Sequence, residues 1–145
     1  MLVACVLLFN SCLKNDAISD PQTTATNISL KFGGYLYTCT TAAAFYKATQ
    51  NTISIGGAFG NNSYLNLLIA DVHVGTFDLS GGNASLSLQT SANVADSYVS
   101  TSGSVTVTEF SSSVIEGTFQ FTGVDSLNVS RQITEGQFIT SYIRQ

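Results

Sequence analysis

Apolar and polar residues alternate with a period of two along most of the chain from Asn27 onward. In residues 52–59, Ile53 and Ile55 alternate with Thr52 and Ser54. Successive side chains of a strand point to opposite faces of a sheet, so this stretch is predicted to be a strand with one buried face. The same pattern recurs at Leu65, Leu67 and Ile69; at Gly75, Phe77 and Leu79; at Leu86 and Leu88; at Val105 and Val107; and at Ile115, Gly117, Phe119 and Phe121.

Residues that favour tight turns separate these runs. They are Gly33-Gly34, Gly60-Asn61-Asn62, Gly81-Gly82-Asn83 and Ser102-Gly103. Gly and Asn tolerate the positive φ angles that short reversals need, and strands joined by short reversals are antiparallel neighbours. The sequence therefore predicts an all-β fold, a single antiparallel domain of about ten strands, built as an up-and-down barrel or a closed sandwich.

Edge protection favours the closed forms over an open sandwich. Exposed strand edges are commonly guarded by Lys or Pro, and the predicted domain has one Lys near each of two early strands and no Pro. One stretch, Thr41 to Lys47, has good helix formers and could be helical, although it is too short to be stable alone.

Three of the predicted strands share a Gly-x-Phe element. The three are Gly75-Thr76-Phe77, Gly117-Thr118-Phe119 and Gly136-Gln137-Phe138. Residues two apart in a strand share a face, so the missing side chain of the glycine leaves room for a bend or for a neighbouring ring. The repeat is predicted to serve packing and not chemistry.

The first nine residues, MLVACVLLF, form a short apolar run. Its eight residues after the Met would span only about 12 Å as a helix, far less than the roughly 30 Å of bilayer hydrocarbon. A short apolar segment followed by small residues is typical of a secretory signal. With Cys12 directly after Asn10 and Ser11, the segment resembles a lipobox, where a bacterial lipoprotein is cleaved and its new terminal Cys acylated.

This resemblance divides the chain into three parts. Residues 1–11 are expected to be a lipoprotein signal peptide, residues 12–26 the lipidated Cys12 and a flexible tether, and residues 27–145 the β domain. Several acyl chains on one Cys anchor a protein to a membrane stably, since each buried methylene contributes about 0.8 kcal/mol. The expected location is the outer membrane, on its periplasmic side or at the cell surface.

The rest of the chain also resembles a family. The lipobox Cys, the segments "SGSVTVTEF" and "VIEGTFQFTGVD" and the terminal "ITEGQFITSYI" are similar to a Bacteroidetes outer-membrane lipoprotein family with a domain of unknown function. The resemblance covers nearly the whole chain from Cys12. It implies an envelope-associated β domain and carries over no catalytic residue.

Charge excludes one class of partner. The net charge is −4 and the five Lys and Arg residues are scattered, whereas nucleic-acid binding needs a clustered basic face. With Cys5 in the signal and Cys12 acylated, Cys39 has no disulfide partner, and alternation places it on one face with Tyr35 and Tyr37 as a small buried hydrophobe.

Catalytic chemistry has few candidates. His73 is the only histidine, and an extended Asp71-Val72-His73 would place Asp71 and His73 on one face, as a general base and its orienting carboxylate or as two metal ligands. Four carboxylates, Glu109, Glu116, Asp125 and Glu135, would be candidates for a glycosidase pair if two of them lay about 5 to 9.5 Å apart in a cleft. Glu116 falls on the polar face opposite Phe119, which favours a solvated position.

Binding residues are more plausible than catalytic ones. Tyr64 alternates with the apolar Leu65 and Leu67 and is predicted to be exposed, where its ring suits a glycan or a protein ligand. Asp125-Ser126-Leu127 resembles the short Bacteroidetes acceptor motif for O-glycosylation, which makes Ser126 a candidate for that modification.

Three hypotheses follow, none with a metal or a cofactor. The leading one is a lipid-anchored, non-catalytic envelope domain that binds a ligand or contributes to the envelope surface. The second is a β-barrel carrier whose hollow interior holds a small apolar ligand. The third is a hydrolase that uses His73 with an acid from another strand.

Overall fold

Eleven strands account for most of the computed structural model, which describes residues 26–39 and 41–145. The strands are β1 (Asn27–Phe32), β2 (Tyr35–Thr38), β3 (Thr41–Lys47), β4 (Thr52–Ala58), β5 (Tyr64–Ile69), β6 (Gly75–Asp78), β7 (Ala84–Gln89), β8 (Ser97–Phe110), β9 (Val114–Val124), β10 (Ser130–Ser141) and β11 (Ile143–Arg144). A three-residue 3-10 helix, Val94–Asp96, precedes β8. The all-β prediction is confirmed. The predicted signal peptide, Cys12 and nearly all of the tether lie outside the described residues.

The strands form one curled mixed sheet with the shape of a half-barrel. Ten strands follow the order β11-β3-β4-β5-β7-β8-β9-β10-β1-β2, and β6 pairs with β8 beside β7. Within the described chain every pair is antiparallel except β11 with β3, which is parallel. No helix in this part of the chain is long and apolar enough to cross a membrane.

The predicted alternation determines which face of the sheet is buried. Every apolar residue that the sequence placed on the inward face of β5, β7 and β9 is at most 4% exposed, and Val105 and Val107 of β8 are at most 1% exposed. These side chains meet on the concave side as one hydrophobic core. The residues between them point outward, so the sheet has an inner face and an outer face of opposite character.

Aromatic residues close one end of the curled sheet, where β11 meets β3. The rings of Tyr46, Phe110 and Tyr142 lie 5.4 to 5.6 Å apart, and the Arg144 guanidinium sits 5.3 Å from the centre of the Tyr46 ring. The Tyr142 hydroxyl donates to the carbonyl oxygen of Ser111 at 2.5 Å. These contacts tie the C-terminal strand to the two sides of the sheet.

Removing the Tyr142 hydroxyl is expected to change the alkaline stability of the protein. Burial raises the pKa of Tyr142 above its ordinary value of 10, Tyr46 adds to this, and Arg144 opposes it. A group with a raised folded-state pKa stabilises the fold below its unfolded pKa and loses that contribution as pH rises. At neutral pH, Tyr142→Phe should unfold about 1 kcal/mol more easily because it lacks the hydrogen bond.

Urea unfolding from pH 7 to pH 11 would measure this effect. The stability gap between the parent and Tyr142→Phe should narrow above pH 10. Tyr35→Phe is the matched control, since Tyr35 is 75% exposed. The difference in free energy of unfolding between Tyr35→Phe and the parent should stay near zero from pH 7 to pH 11. A difference in unfolding free energy between Tyr142→Phe and the parent that stays constant from pH 7 to pH 11 would contradict the raised pKa of Tyr142.

Two local predictions are wrong. Thr41 to Lys47 is not helical but forms strand β3, paired along its length with β4 from Thr41 opposite Ala58 to Lys47 opposite Thr52. This pairing overrides the local helix propensity of the stretch. Ser102-Gly103 is not a turn, because both residues lie inside β8, next to a register shift between Ser100 and Ser102.

The Gly-x-Phe elements of β9 and β10 interlock. Gly117 lies opposite Phe138, and Gly136 lies opposite Phe119. A Cβ placed on Gly117 would lie 2.5 Å from Phe138 Cζ, and one on Gly136 would lie 2.5 Å from the Phe119 carbonyl oxygen and even closer to that ring. Each glycine therefore accommodates the ring of the facing strand, as the sequence predicted.

Candidate functional site

The outer face of β3, β4, β5, β7 and β8 is organised in three rows that cross the strands. The pairing registers define them. The central row is Ala43, Gly56, Asn66, Ser87 and Val99; one flanking row is Phe45, Ser54, Leu68 and Ser85; the other is Thr41, Ala58, Tyr64, Gln89 and Ser97. The central row holds mostly small side chains, while each flanking row includes large ones.

The central row is the floor of a groove, which we call the trough. Its cavity beside the Phe45 row has a volume of about 510 Å³, and a second cavity of about 340 Å³ lies on the Tyr64 side of the same floor. Strands are about 4.8 Å apart, so the trough runs roughly 19 Å from β3 to β8. A volume of this order is in the range of ligand pockets.

The depth of the trough depends on its small floor residues. Gly56 has no side chain, and a Cβ built there would lie 3.7 Å from the Asn66 side-chain oxygen, in ordinary contact. Two residues along a strand correspond to about 6.8 Å, so the flanking rows stand roughly 14 Å apart with the floor between them. Large side chains at Gly56 or Ala43 would fill this space.

The lining of the trough carries no formal charge. Its polar groups are hydroxyls and amides, and its apolar groups are exposed: Phe45 is 37%, Leu68 46%, Tyr64 46% and Val99 54% accessible. Isolated exposed apolar residues are common, but here they flank one recess. The trough therefore combines apolar walls with neutral hydrogen-bonding groups on its floor and rims.

Tyr64 is the one sequence-predicted binding residue in this site. It starts β5, pairs with Ala58 on one side and Gln89 on the other, and points outward. Sequence reasoning did not find its neighbours in the trough. The small outward residues of β4 were visible as a pattern, but the register that places Gly56 beside Ala43 and Asn66 was not.

His73 and Asp71 do not form a catalytic pair. The extended Asp71-Val72-His73 that such a pair would need is not present, because Asp71 has a φ of 50° and the chain turns there. His73 Nδ1–H donates to the backbone carbonyl of Asp71 at 2.6 Å, and the imidazole packs 4.9 Å from the Phe77 ring. No group of three His, Cys, Asp or Glu side chains in the described residues could hold a metal ion.

The other four candidate carboxylates lie outside the trough, and two of them face each other. Glu109 and Glu116 lie opposite each other on β8 and β9, both exposed on the outer face. Glu135 forms an ion pair with Lys31 at 2.8 Å, and Asp125 accepts hydrogen bonds from the backbone N–H groups of Leu127 and Val129 in the turn after β9. Ser126, the glycosylation candidate, is exposed in that turn.

Cys39 is half-buried against the core. Its thiol donates to the Thr41 carbonyl oxygen at 2.8 Å and would lie 3.2 Å from a Cβ at Gly57. Burial raises the pKa of the Cys39 thiol, against the lowering effect of hydrogen bonds to Thr41 and Ala58. A thiol with a raised pKa is a poor nucleophile, which favours a packing role.

Comparison with known protein families identifies most of the chain as one domain. The family model described as a domain of unknown function, DUF6252, matches residues 25–140. No curated protein and no solved structure matches the chain.

Proposed function

The chain belongs to the DUF6252 family of domains of unknown function, and from that premise we propose that it is a lipid-anchored, non-catalytic envelope domain that binds a ligand in the trough. The observation that carries the proposal is the uncharged recess across β3, β4, β5, β7 and β8. Cys12 supplies the anchor in this proposal, because the residues before it resemble a lipobox. The domain then acts at the outer membrane, on the periplasmic side or at the cell surface.

The filled inner face supports a surface site over an interior one. A carrier needs a hollow apolar interior, and the inward positions of this sheet are occupied by large buried side chains such as Phe119, Phe121 and Phe138. The cavities described above open on the outer face instead. A protein or a glycan is therefore a better candidate ligand than a small apolar molecule held inside.

The absence of carboxylates and of the imidazole from the trough lining supports a non-catalytic role. General acid and base catalysis needs side chains within hydrogen-bond reach of one reacting centre. His73 is bonded to a backbone carbonyl, Glu135 is paired with Lys31, and no carboxylate or imidazole lines the trough. Binding without turnover is the activity that this set of groups supports best.

Filling the trough tests the binding function without presupposing the ligand. The full chain is applied to arrays that carry both glycans and peptides, alongside the variant Ala43→Phe. Ala43 is exposed on β3, so the added ring occupies the trough and leaves the core unchanged. We expect the parent to bind at least one array component and Ala43→Phe to lose at least about tenfold in affinity, or roughly 1.4 kcal/mol.

Thr118→Phe is the matched control. Thr118 is exposed on the outer face of β9, opposite Thr106 and Gln137 and outside the trough. A ring there should leave binding unchanged. Equal losses of affinity in Ala43→Phe and Thr118→Phe would refute the proposed function. A parent that binds no glycan and no peptide on the arrays would also refute it.

A further inference from the structure

We infer that the trough binds a chain of uncharged sugars, an inference that rests on the proposed binding function and names its ligand. The charge of the lining is the first reason. Neither cavity of the trough is lined by Lys, Arg, Asp or Glu. A charged ligand would give up water there without an opposite charge to replace it, which is costly. The matching ligand is therefore neutral.

The hydrogen-bonding groups of the trough are of the type that pairs with hydroxyls. Ser54, Ser85 and Ser87 offer hydroxyls that both donate and accept, and Asn66 offers an amide that does the same. Sugar hydroxyls also donate and accept. A sugar can therefore either donate a hydrogen bond to each of these groups or accept one from it. The groups lie within one recess and are not scattered over the surface.

Aromatic and aliphatic side chains complete the match. Tyr64 is 46% exposed on one wall, with a phenol hydroxyl at its tip, and Phe45 is 37% exposed on the other. A ring of this kind offers a flat apolar face that can cover the C–H face of a sugar. The polar groups at the floor can bond the hydroxyls of a sugar, and the rings at the walls can pack against its C–H face.

The direction of the trough disfavours a peptide. Peptides that bind to sheets commonly add a strand at a free edge, where backbone N–H and C=O groups are available. The trough instead crosses the middle of the sheet, and β4, β5 and β7 each have a hydrogen-bonded strand on both sides. A peptide lying across them would find few partners for its own backbone groups, which need pairing when buried.

The length of the trough favours a chain over a single sugar. The floor crosses five strands, from Ala43 on β3 to Val99 on β8. This distance is about 19 Å at the usual strand spacing. Several linked sugar rings are needed to contact the Tyr64 wall, the Asn66 amide and the serine hydroxyls together.

Affinity gel electrophoresis of the full chain tests the inference. Gels are cast with the neutral polysaccharides dextran, barley β-glucan and galactomannan, and separately with the charged polysaccharides polygalacturonate and heparin. We expect at least one neutral polysaccharide to retard the protein and neither charged one to do so. In Tyr64→Ala, the dissociation constant for that neutral polysaccharide should rise at least about tenfold.

Tyr35→Ala is the matched control, because Tyr35 is a 75% exposed tyrosine on β2, away from the trough. It should migrate like the parent. Equal loss in the two tyrosine variants would overturn the inference, as would equal retardation by heparin. Retardation by none of the neutral polysaccharides, together with peptide binding that Ala43→Phe abolishes, would overturn the sugar ligand and leave the binding function standing.

Discussion

Gly117→Ala is expected to unfold about 3 kcal/mol more easily than the parent and to melt roughly 10 °C lower, since over-filled sites cost 1 to 3 kcal/mol or more. The added methyl carbon would lie 2.5 Å from Phe138 Cζ and closer still to the backbone carbonyl oxygen of Thr106. Strands β8 and β10 flank β9 on both sides there, so neither neighbour can move away without breaking its own pairing.

Gly56→Ala is the matched control for this prediction. Gly56 also lies inside a central strand, but its nearest neighbour to an added Cβ is at 3.7 Å. Alanine is favoured over glycine in a strand by about 0.5 to 1 kcal/mol, so this variant should be slightly more stable than the parent. The two substitutions, identical in chemistry, should therefore shift the midpoint of thermal unfolding in opposite directions.

A double-variant cycle identifies the ring contact as the cause. In a Phe138→Leu background the phenyl ring is absent, so adding Gly117→Ala should cost less than it does in the parent. Residues in direct contact commonly show coupling of 0.5 to 3 kcal/mol, and a value of about 1 kcal/mol is expected here. Additive free energies, or a Gly117→Ala variant as stable as Gly56→Ala, would contradict the interlocked packing of β9 and β10.

The inner face was predictable because it depends on a local rule. Alternation alone identified Leu65, Leu67 and Ile69 as buried, since a strand with one apolar face has only one orientation against a core. The turns at Gly33, Gly60 and Gly82 were also found, because each glycine has a positive φ that a reversal needs. Both signals lie within a few residues of chain.

The two wrong local predictions concern residues whose conformation depends on contact with a strand distant in sequence. Gly103 looked like a turn residue, with its φ of 125°, but it lies opposite Phe121 on β9, where an added Cβ would be 2.6 Å from the Phe121 Cα. The glycine thus permits close approach of two strands. The helix prediction for Thr41 to Lys47 is wrong for a related reason, because pairing with β4 determines the conformation of this stretch.

The trough could not be predicted from the sequence because it depends on the register of four strand pairs. Ala43, Gly56, Asn66, Ser87 and Val99 are spread over 57 residues of chain and share no motif. A shift of one residue in any pair would replace outward side chains by inward ones and remove the row. Tyr64 alone was identified, because exposure follows from alternation within its own strand.

In the proposed function a lipid anchor at Cys12 places the domain at the membrane, and the loss of this anchor should have the largest effect of any change considered. A lipidated Cys12 would hold the domain at a membrane through several acyl chains, each methylene contributing about 0.8 kcal/mol, and no other attachment is proposed. Cys12→Ala removes the only thiol that the proposal modifies. The variant should therefore lose its lipid completely and leave the membrane fraction.

Metabolic labelling with radioactive palmitate in the native host is the most direct measurement of this central claim. The account predicts a labelled parent in the membrane fraction, an unlabelled Cys12→Ala in the soluble fraction, and a Cys39→Ala variant labelled like the parent, since Cys39 packs against the core. A Cys12→Ala variant as radioactive and as membrane-bound as the parent would contradict the proposed place of action.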